Sequence, residues 1–181
     1  MPELWEKAAS AARLLGEVAF EAKASLSTAE SCTGGLVAAL ITEVPGASAW
    51  FDRGFVTYTP LSKTEMLDVP PEVIEHEGVV SEAVAHAMAR GACARSRASY
   101  AVSLTGVAGP GGGTEATPVG TVCIGWAEKL RDGRTIITSA RTIHVPSQSR
   151  SVVRLEAARV ALQGLITLIH GEDPASMPCE Y

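Results

Sequence analysis

The residues best suited to hydrolytic chemistry stand in a short polar segment after an extended stretch over 25–29. Residues 30–35 read Glu30-Ser31-Cys32-Thr33-Gly34-Gly35, and a helix is predicted over 36–42. A serine hydroxyl or cysteine thiol there can act as a nucleophile, and the free amides of a helix N-terminus favour a developing oxyanion. The plainer interpretation is that Ser31 or Thr33 caps the helix and the glycines form the turn.

A lysine in the next polar segment offers a base for that nucleophile. Tyr58 is predicted to end a strand, and Thr59-Pro60 has the composition of a helix start. Lys63 then falls in about the first turn of that helix. A lysine whose charge is destabilised by burial can serve as a base toward serine. The plainer interpretation is a solvated surface lysine.

A glycine-rich loop over 105–114 is the third candidate segment. It lacks the Gly-Lys-Ser/Thr ending of a P-loop and the GxGxxG of a dinucleotide fold, so neither a kinase nor a dehydrogenase is supported. Arg150 and Arg154, one turn apart in a helix predicted over 148–170, either clamp a phosphate or carboxylate or form a solvated face.

The alternation of helices and strands along the chain predicts the fold. Helices interleave with strands over the first two thirds, and a hairpin follows, which predicts a three-layer α/β/α sandwich with a mostly parallel sheet carrying an antiparallel hairpin. We expect one domain over 1–170 and a loose tail over 171–181. In such sheets active sites lie at the carboxyl ends of strands, where the three segments should meet. The remaining predicted elements are helices over 3–23, 71–77 and 82–94 and strands over 100–104, 119–127 and 135–145.

The composition excludes several classes of protein. The 181 residues carry 15 Lys+Arg and 20 Asp+Glu, a net charge of -5, so direct nucleic-acid binding is not expected and an anionic ligand must be held locally. The longest hydrophobic run, over 36–41, is far short of the roughly 20 residues of a membrane span. The N-terminus lacks a secretory signal, which predicts a cytoplasmic protein. Cysteine and histidine spacing predicts neither a metal site nor disulfides.

Sequence blocks in a fixed order resemble a known family. They run from Thr28 to Gly35, from Gly54 to Tyr58 with Lys63, from Thr105 to Pro110 with Gly112-Gly113, and from Pro118 to Val122. Together they resemble the CinA C-terminal domain family in its stand-alone form, because no second CinA domain precedes them. The resemblance implies hydrolysis of nicotinamide mononucleotide to nicotinic acid mononucleotide and ammonia, by a homodimer that needs no cofactor.

The resemblance also implies a role for each candidate residue. Ser31 would be the nucleophile, Lys63 its general base and Tyr58 a supporting hydroxyl. Amides at the start of the helix after Thr33 would stabilise the oxyanion, and Arg150 or the loop over 109–113 would bind the phosphate. The residues expected to contact the substrate are Glu30, Cys32, Thr33, Gly34, Gly35, Thr105, Gly106, Gly109, Gly112 and Arg150.

Other interpretations stay open on the sequence alone. Cys32 is a competing nucleophile, because a thiol at a helix N-terminus has a lowered pKa. The chain is alternatively a non-catalytic nucleotide-binding module serving a DNA-uptake or repair partner, or an amidase with a different substrate. Thr59-Pro60 stands where the family commonly has Ser-Asn, and Gln148-Ser149 where it often has Gly-Asp. The apolar stretch over 49–51 fits a dimer interface as well as a core.

Overall fold

A computed structural model describes residues 1–178 of the chain. Helices and strands alternate along them in nearly the predicted order. The elements are α1 (Pro2–Glu21), β1 (Leu26–Glu30), α2 (Leu36–Thr42), β2 (Phe51–Val56), α3 (Pro60–Leu67), α4 (Pro71–Glu77), α5 (Glu82–Ala94), β3 (Tyr100–Gly106), β4 (Thr121–Lys129), β5 (Ile136–His144) and α6 (Arg150–Ile169).

The strands form one 5-stranded sheet in the order β2-β1-β3-β4-β5. β1 pairs in parallel with β2 and β3, whereas β4 is antiparallel to both β3 and β5. All strands except β4 therefore run in one direction, which confirms the predicted mostly parallel sheet with an antiparallel hairpin. The carboxyl ends of β1, β2 and β3 lie side by side, so the polar segments that follow them meet at one edge of the sheet.

Helices cover both faces of the sheet and bury two separate cores. On one face, residues of α1, α2 and α6 pack against Val102 and Leu104 of β3 and the apolar side chains of β4. On the other face, α5 and Leu67 of α3 pack against Ala29 and Ala101. These layers confirm the α/β/α sandwich. Trp50 belongs to the first core and is 4% exposed, so it is not free to form an interface.

The ends of some elements differ from the prediction. β2 ends at Val56, so Tyr58 follows the strand instead of ending it, and α6 begins at Arg150 with Ser149 as N-cap. The segment after α6, expected to be loose, is held against β5 because Ser139 donates to Asp173 and Arg141 donates to the Met177 carbonyl. The end of the predicted tail, over 179–181, lies outside the described residues. No helix within residues 1–178 is long and apolar enough to cross a membrane.

Candidate active site

A cavity of about 320 Å³ opens where β1 and β3 end. Its position at the carboxyl ends of parallel strands is where a ligand site is expected in this fold. In residues 1–178, no His, Cys, Asp or Glu side chains are grouped as a metal site would require. The cavity is lined by Ser31, Cys32, Tyr58, Pro60, Val79, Val80, Thr105, Gly106, Val107, Ala108, Gly109, Gly111, Gly112 and Arg150.

Lys63 lies directly behind Ser31, shielded from solvent. Its Nζ is 3.0 Å from Ser31 Oγ and donates to the Thr57 carbonyl at 2.7 Å. The Lys63 residue is 0% exposed, so the plainer interpretation of a solvated lysine is wrong. Thr59 forms a capping box with Ser62 at the start of α3, which places Lys63 in the first turn as the sequence predicted. The departure at Thr59-Pro60 therefore still delivers Lys63 to the serine.

Burial changes the acidity of this lysine. Removal from water disfavours the charged amine and lowers the pKa of Lys63 to about 8, against a small opposing effect of Cys32. None of the ion pairs within residues 1–178 includes Lys63. The amine thus loses its proton around pH 8, far below the range of an ordinary lysine, while it contacts a serine hydroxyl.

Glu30, expected to contact the substrate, instead caps α2 from below. Its carboxylate accepts hydrogen bonds from the backbone amides of Gly35 and Val37 at 3.0 Å and of Ala38 at 2.9 Å. Glu30 is 1% exposed and does not line the cavity. Because this carboxylate occupies the amides at the start of α2, they are not available to an oxyanion, and the predicted use of this helix N-terminus is wrong.

The turn between β1 and α2 holds Ser31 in place. Gly34 and Gly35 have φ of 59° and 96°, values that favour glycine. The Gly34 amide donates to the Ser31 carbonyl at 3.0 Å. Thr33, Gly34 and Gly35 do not line the cavity. These three residues shape the turn instead of facing the substrate space.

Cys32 lines the cavity beside Ser31, but its thiol is a poor candidate for a thiolate. Burial raises the pKa of the Cys32 thiol to about 12, partly opposed by a hydrogen bond from its own backbone amide. The nearby Glu30 charge also raises this pKa, and Lys63 and Arg154 lower it to a smaller extent. The capped α2 N-terminus does not provide the lowered pKa that the competing interpretation required. The Cys32 backbone amide, in contrast, makes no hydrogen bond with another residue in the described part of the chain, and its recorded contact is with its own thiol.

The glycine-rich loop and Arg150 form the opposite wall. Arg150 donates to the Gly109 carbonyl at 3.0 Å and to Tyr58 Oη at 3.1 Å. Tyr58 is 60% exposed and has no hydrogen bond with Ser31 or Lys63 in the described part of the chain. Tyr58 therefore lies at the rim of the cavity. The structure does not bring it to the Ser31–Lys63 pair.

Sequence reasoning missed an apolar part of the cavity wall. Val79 and Val80 lie in the connection between α4 and α5 and line the cavity together with Pro60. The Thr105 hydroxyl donates to the Val79 carbonyl at 2.7 Å, which attaches this connection to the end of β3. No local motif marks these valines, because only the tertiary fold brings them to the site.

A family comparison agrees with this geometry. The model of the CinA C-terminal domain matches residues 8–169. This chain belongs to the CinA C-terminal domain family. The resemblance seen in the sequence blocks is thereby confirmed, and the cavity, Ser31 and Lys63 all lie within the matched range.

Individual members of the CinA family show how much of the chain is shared. A Pseudomonas putida protein, "Nicotinamide-nucleotide amidohydrolase PncC", is 46% identical over 154 residues, covering 85% of this chain and 92% of that protein. A "CinA-like protein" of Chlorobaculum tepidum is 48% identical over 146 residues, which are 81% of this chain but 34% of that protein. The chain thus spans about a third of the second relative.

A solved structure of the CinA family has the same fold. The crystal structure of the competence/damage inducible protein CihA from Agrobacterium tumefaciens superposes with a TM-score of 0.83 at 42% identity. The match covers 90% of this chain and 95% of that one. The similarity therefore extends over most of the sandwich.

Proposed function

We propose that this protein is a nicotinamide-nucleotide amidohydrolase that converts nicotinamide mononucleotide and water to nicotinic acid mononucleotide and ammonia. The observation that carries the proposal is the buried contact of 3.0 Å between Lys63 Nζ and Ser31 Oγ beside the cavity. The name of the Pseudomonas putida relative, a nicotinamide-nucleotide amidohydrolase that aligns over nearly its whole length, supports the choice of substrate.

Lys63 acts as the general base in its neutral form. In the structure the amine donates to both the Thr57 carbonyl and Ser31 Oγ. The neutral amine has two N–H groups and a lone pair, so rotation about its terminal bond directs the lone pair to the proton of the Ser31 hydroxyl. Its lowered pKa of about 8 makes the neutral form accessible near neutral pH. Ser31 Oγ then attacks the carboxamide carbon of the substrate as Lys63 takes the proton.

The tetrahedral intermediate needs a donor for its oxyanion. The amide of Cys32, next to the nucleophile and bonded to no other residue in residues 1–178, supplies this donor. The C–N bond then breaks, Lys63 returns its proton to the leaving ammonia, and an ester forms on Ser31. Water attacks this ester, Lys63 takes the proton of the water and returns it to Ser31 Oγ, and the carboxylate product leaves.

The opposite wall holds the rest of the nucleotide. The backbone amides of the loop residues over 108–112 donate to no acceptor in the described part of the chain, Pro110 having none to donate. Together with the Arg150 guanidinium they form a set of donors suited to a phosphate. The apolar wall of Pro60, Val79 and Val80 suits the flat faces of a pyridine ring. The net charge of -5 does not prevent phosphate binding, because the loop amides and Arg150 lie next to the phosphate.

Release of ammonia from nicotinamide mononucleotide tests the proposal. The wild type should release it with nicotinic acid mononucleotide as the second product, and Ser31→Ala should lose about 10³-fold or more in kcat. Cys32→Ala is the matched control and should keep kcat within about threefold, because the thiol is protonated and uninvolved. Wild-type activity in Ser31→Ala together with loss in Cys32→Ala would assign the nucleophile to Cys32.

The same assay separates the rival functions. Nucleotide binding without ammonia release by the folded wild type would favour the non-catalytic module. Ammonia release from another amide-bearing nucleotide, but not from nicotinamide mononucleotide, would favour an amidase with a different substrate. A homodimer, implied by the family resemblance, remains part of the proposal, and sedimentation velocity of the full chain tests it.

A further inference from the structure

Arg154 is a cation in the wall behind the cavity that the proposed mechanism leaves unused. It lies in the second turn of α6, and its Nη2 donates to the Thr33 carbonyl at 2.6 Å. Its Nε is buried without a hydrogen-bond partner, and none of the ion pairs in the described part of the chain includes Arg154. A partly buried guanidinium without a carboxylate is costly, so simple packing does not explain this charge.

The carbonyl that Arg154 contacts starts a chain of hydrogen bonds toward the nucleophile. The Thr33 carbonyl and the Gly34 amide belong to one peptide group, and that amide donates to the Ser31 carbonyl at 3.0 Å. The Ser31 carbonyl in turn shares a peptide group with the Cys32 amide. A peptide group whose carbonyl accepts a hydrogen bond becomes a stronger donor at its N–H, and a charged donor increases the effect.

This chain ends on the proposed oxyanion donor. The Cys32 amide is the last N–H of the series, and in the described part of the chain it contacts only its own thiol, a weak acceptor that an oxyanion can replace. On the other side of the turn, the Glu30 carboxylate is occupied by the amides of Gly35, Val37 and Ala38. Glu30 and Arg154 thus hydrogen-bond different backbone groups, and the chain of hydrogen bonds that ends at the Cys32 amide starts at Arg154.

We propose that Arg154 is a positioning residue that polarises the two peptide groups between itself and Cys32 and so strengthens the Cys32 amide as an oxyanion donor. This inference rests on the proposed amidohydrolase function. The oxyanion develops only in the transition state, so the effect falls on kcat and leaves KM nearly unchanged. Arg154 contacts neither the substrate space nor Lys63, so the pH dependence set by Lys63 also stays as it is.

A matched pair of substitutions isolates the charge of Arg154. Arg154→Lys and Arg154→Gln are both shorter than arginine and both can donate to the Thr33 carbonyl, but only lysine is positive. We expect Arg154→Lys to keep kcat within about threefold of the wild type and Arg154→Gln to lose on the order of 10-fold, a fraction of the 10²–10³ lost with a whole oxyanion donor. KM and the midpoint of the pH profile should match the wild type in both.

An arginine remote from the cavity provides the control. Arg90 of α5 also donates to a backbone carbonyl, that of Ile136 at 3.2 Å. Arg90→Gln should leave kcat unchanged, which separates a local effect from a general loss of a guanidinium–carbonyl contact. Circular dichroism and the melting temperature show that each variant is folded.

Equal kcat in Arg154→Lys and Arg154→Gln would overturn the inference, because a purely structural contact does not depend on charge. If Arg154→Gln does not fold, the lysine variant decides alone. A folded Arg154→Lys within about threefold of wild-type kcat supports the inference, and a larger loss overturns it. These outcomes presuppose a wild type that releases ammonia from nicotinamide mononucleotide, and an inactive wild type refutes the proposed function instead.

Discussion

The turn after β1 and the glycine-rich loop after β3 border the same cavity, yet their hydrogen bonding is opposite. In the turn, Glu30 occupies the amides of α2, Arg154 occupies the Thr33 carbonyl, and Lys63 contacts Ser31. In the loop, the amides over 108–112 have no acceptor in the described chain. The polar groups of the turn are therefore already hydrogen-bonded without a substrate, whereas the backbone amides of the loop are available to bind one.

This difference assigns the two halves of the site to different parts of the reaction. Preorganised groups around Ser31 are suited to bond making and breaking, because they need no rearrangement in the transition state. The free donors of the loop and the exposed Arg150 are suited to ground-state binding of an anion. Changes in the turn should therefore lower kcat, and changes in the loop wall should raise KM.

The largest effect is expected from removing the base. Lys63→Met keeps the length and apolar stem of the side chain but deletes the amine that contacts Ser31 Oγ. We expect kcat for ammonia release to fall by about 10³-fold or more, because both the base and the acid of the proposed mechanism are lost. A Lys63→Met variant with more than a tenth of wild-type kcat would show that the groups around Ser31 are not the ones that make and break bonds.

The pH dependence of the unfolding free energy, compared between the wild type and Lys63→Met, measures how far burial lowers the pKa of Lys63. The folded-state pKa of Lys63, about 8, lies below its ordinary value of 10.5. Between these values the unfolded chain binds more protons than the folded chain, so wild-type stability rises with pH relative to Lys63→Met. One pKa unit corresponds to about 1.36 kcal/mol. As pH rises through these two pKa values, the unfolding free energy of the wild type should therefore increase by about 3 kcal/mol relative to that of Lys63→Met.

Denaturant unfolding at pH 8 and pH 10.5 measures this difference, with the variant serving as the reference for all other titrating groups. Most of the change should fall between those two pH values. A difference that stays constant within about 0.5 kcal/mol would show that Lys63 is not perturbed by burial.

The next largest effect concerns the loop wall. Arg150→Met removes the guanidinium beside Gly109 and Tyr58, and we expect KM for nicotinamide mononucleotide to rise about 10-fold to 100-fold with kcat within a few-fold of wild type. Steady-state kinetics with nicotinamide riboside, which lacks the phosphate, is the control. If Arg150→Met lowers the activity toward both compounds equally, Arg150 does not recognise the phosphate.

Local signals allowed much of this architecture to be predicted from the sequence. Thr59-Pro60 starts α3 as predicted, because a helix cap depends on nearby residues. The position of Lys63 one turn into α3 followed from the same reasoning. These signals, together with the order of the elements, were sufficient for the layers and the site's place in the sheet.

The side-chain contacts of the site could not be predicted in this way, because they join segments that are distant in the sequence. The spacing of residues 30–35 does not reveal that the Glu30 side chain turns under α2 and uses its amides. Nor does it reveal that Tyr58 lies beyond the strand and contacts Arg150, 92 residues away in the chain. Side-chain direction in a turn and packing between layers follow from the tertiary fold, which a local motif does not encode.

The dependence of kcat/KM on pH tests whether neutral Lys63 activates Ser31. With a pKa of about 8, the neutral amine increases about tenfold per pH unit below that value and saturates above it. We expect kcat/KM for ammonia release from nicotinamide mononucleotide to rise with this slope and to level off above pH 8. A profile that is flat between pH 6 and pH 9, or that falls as pH rises, would contradict it.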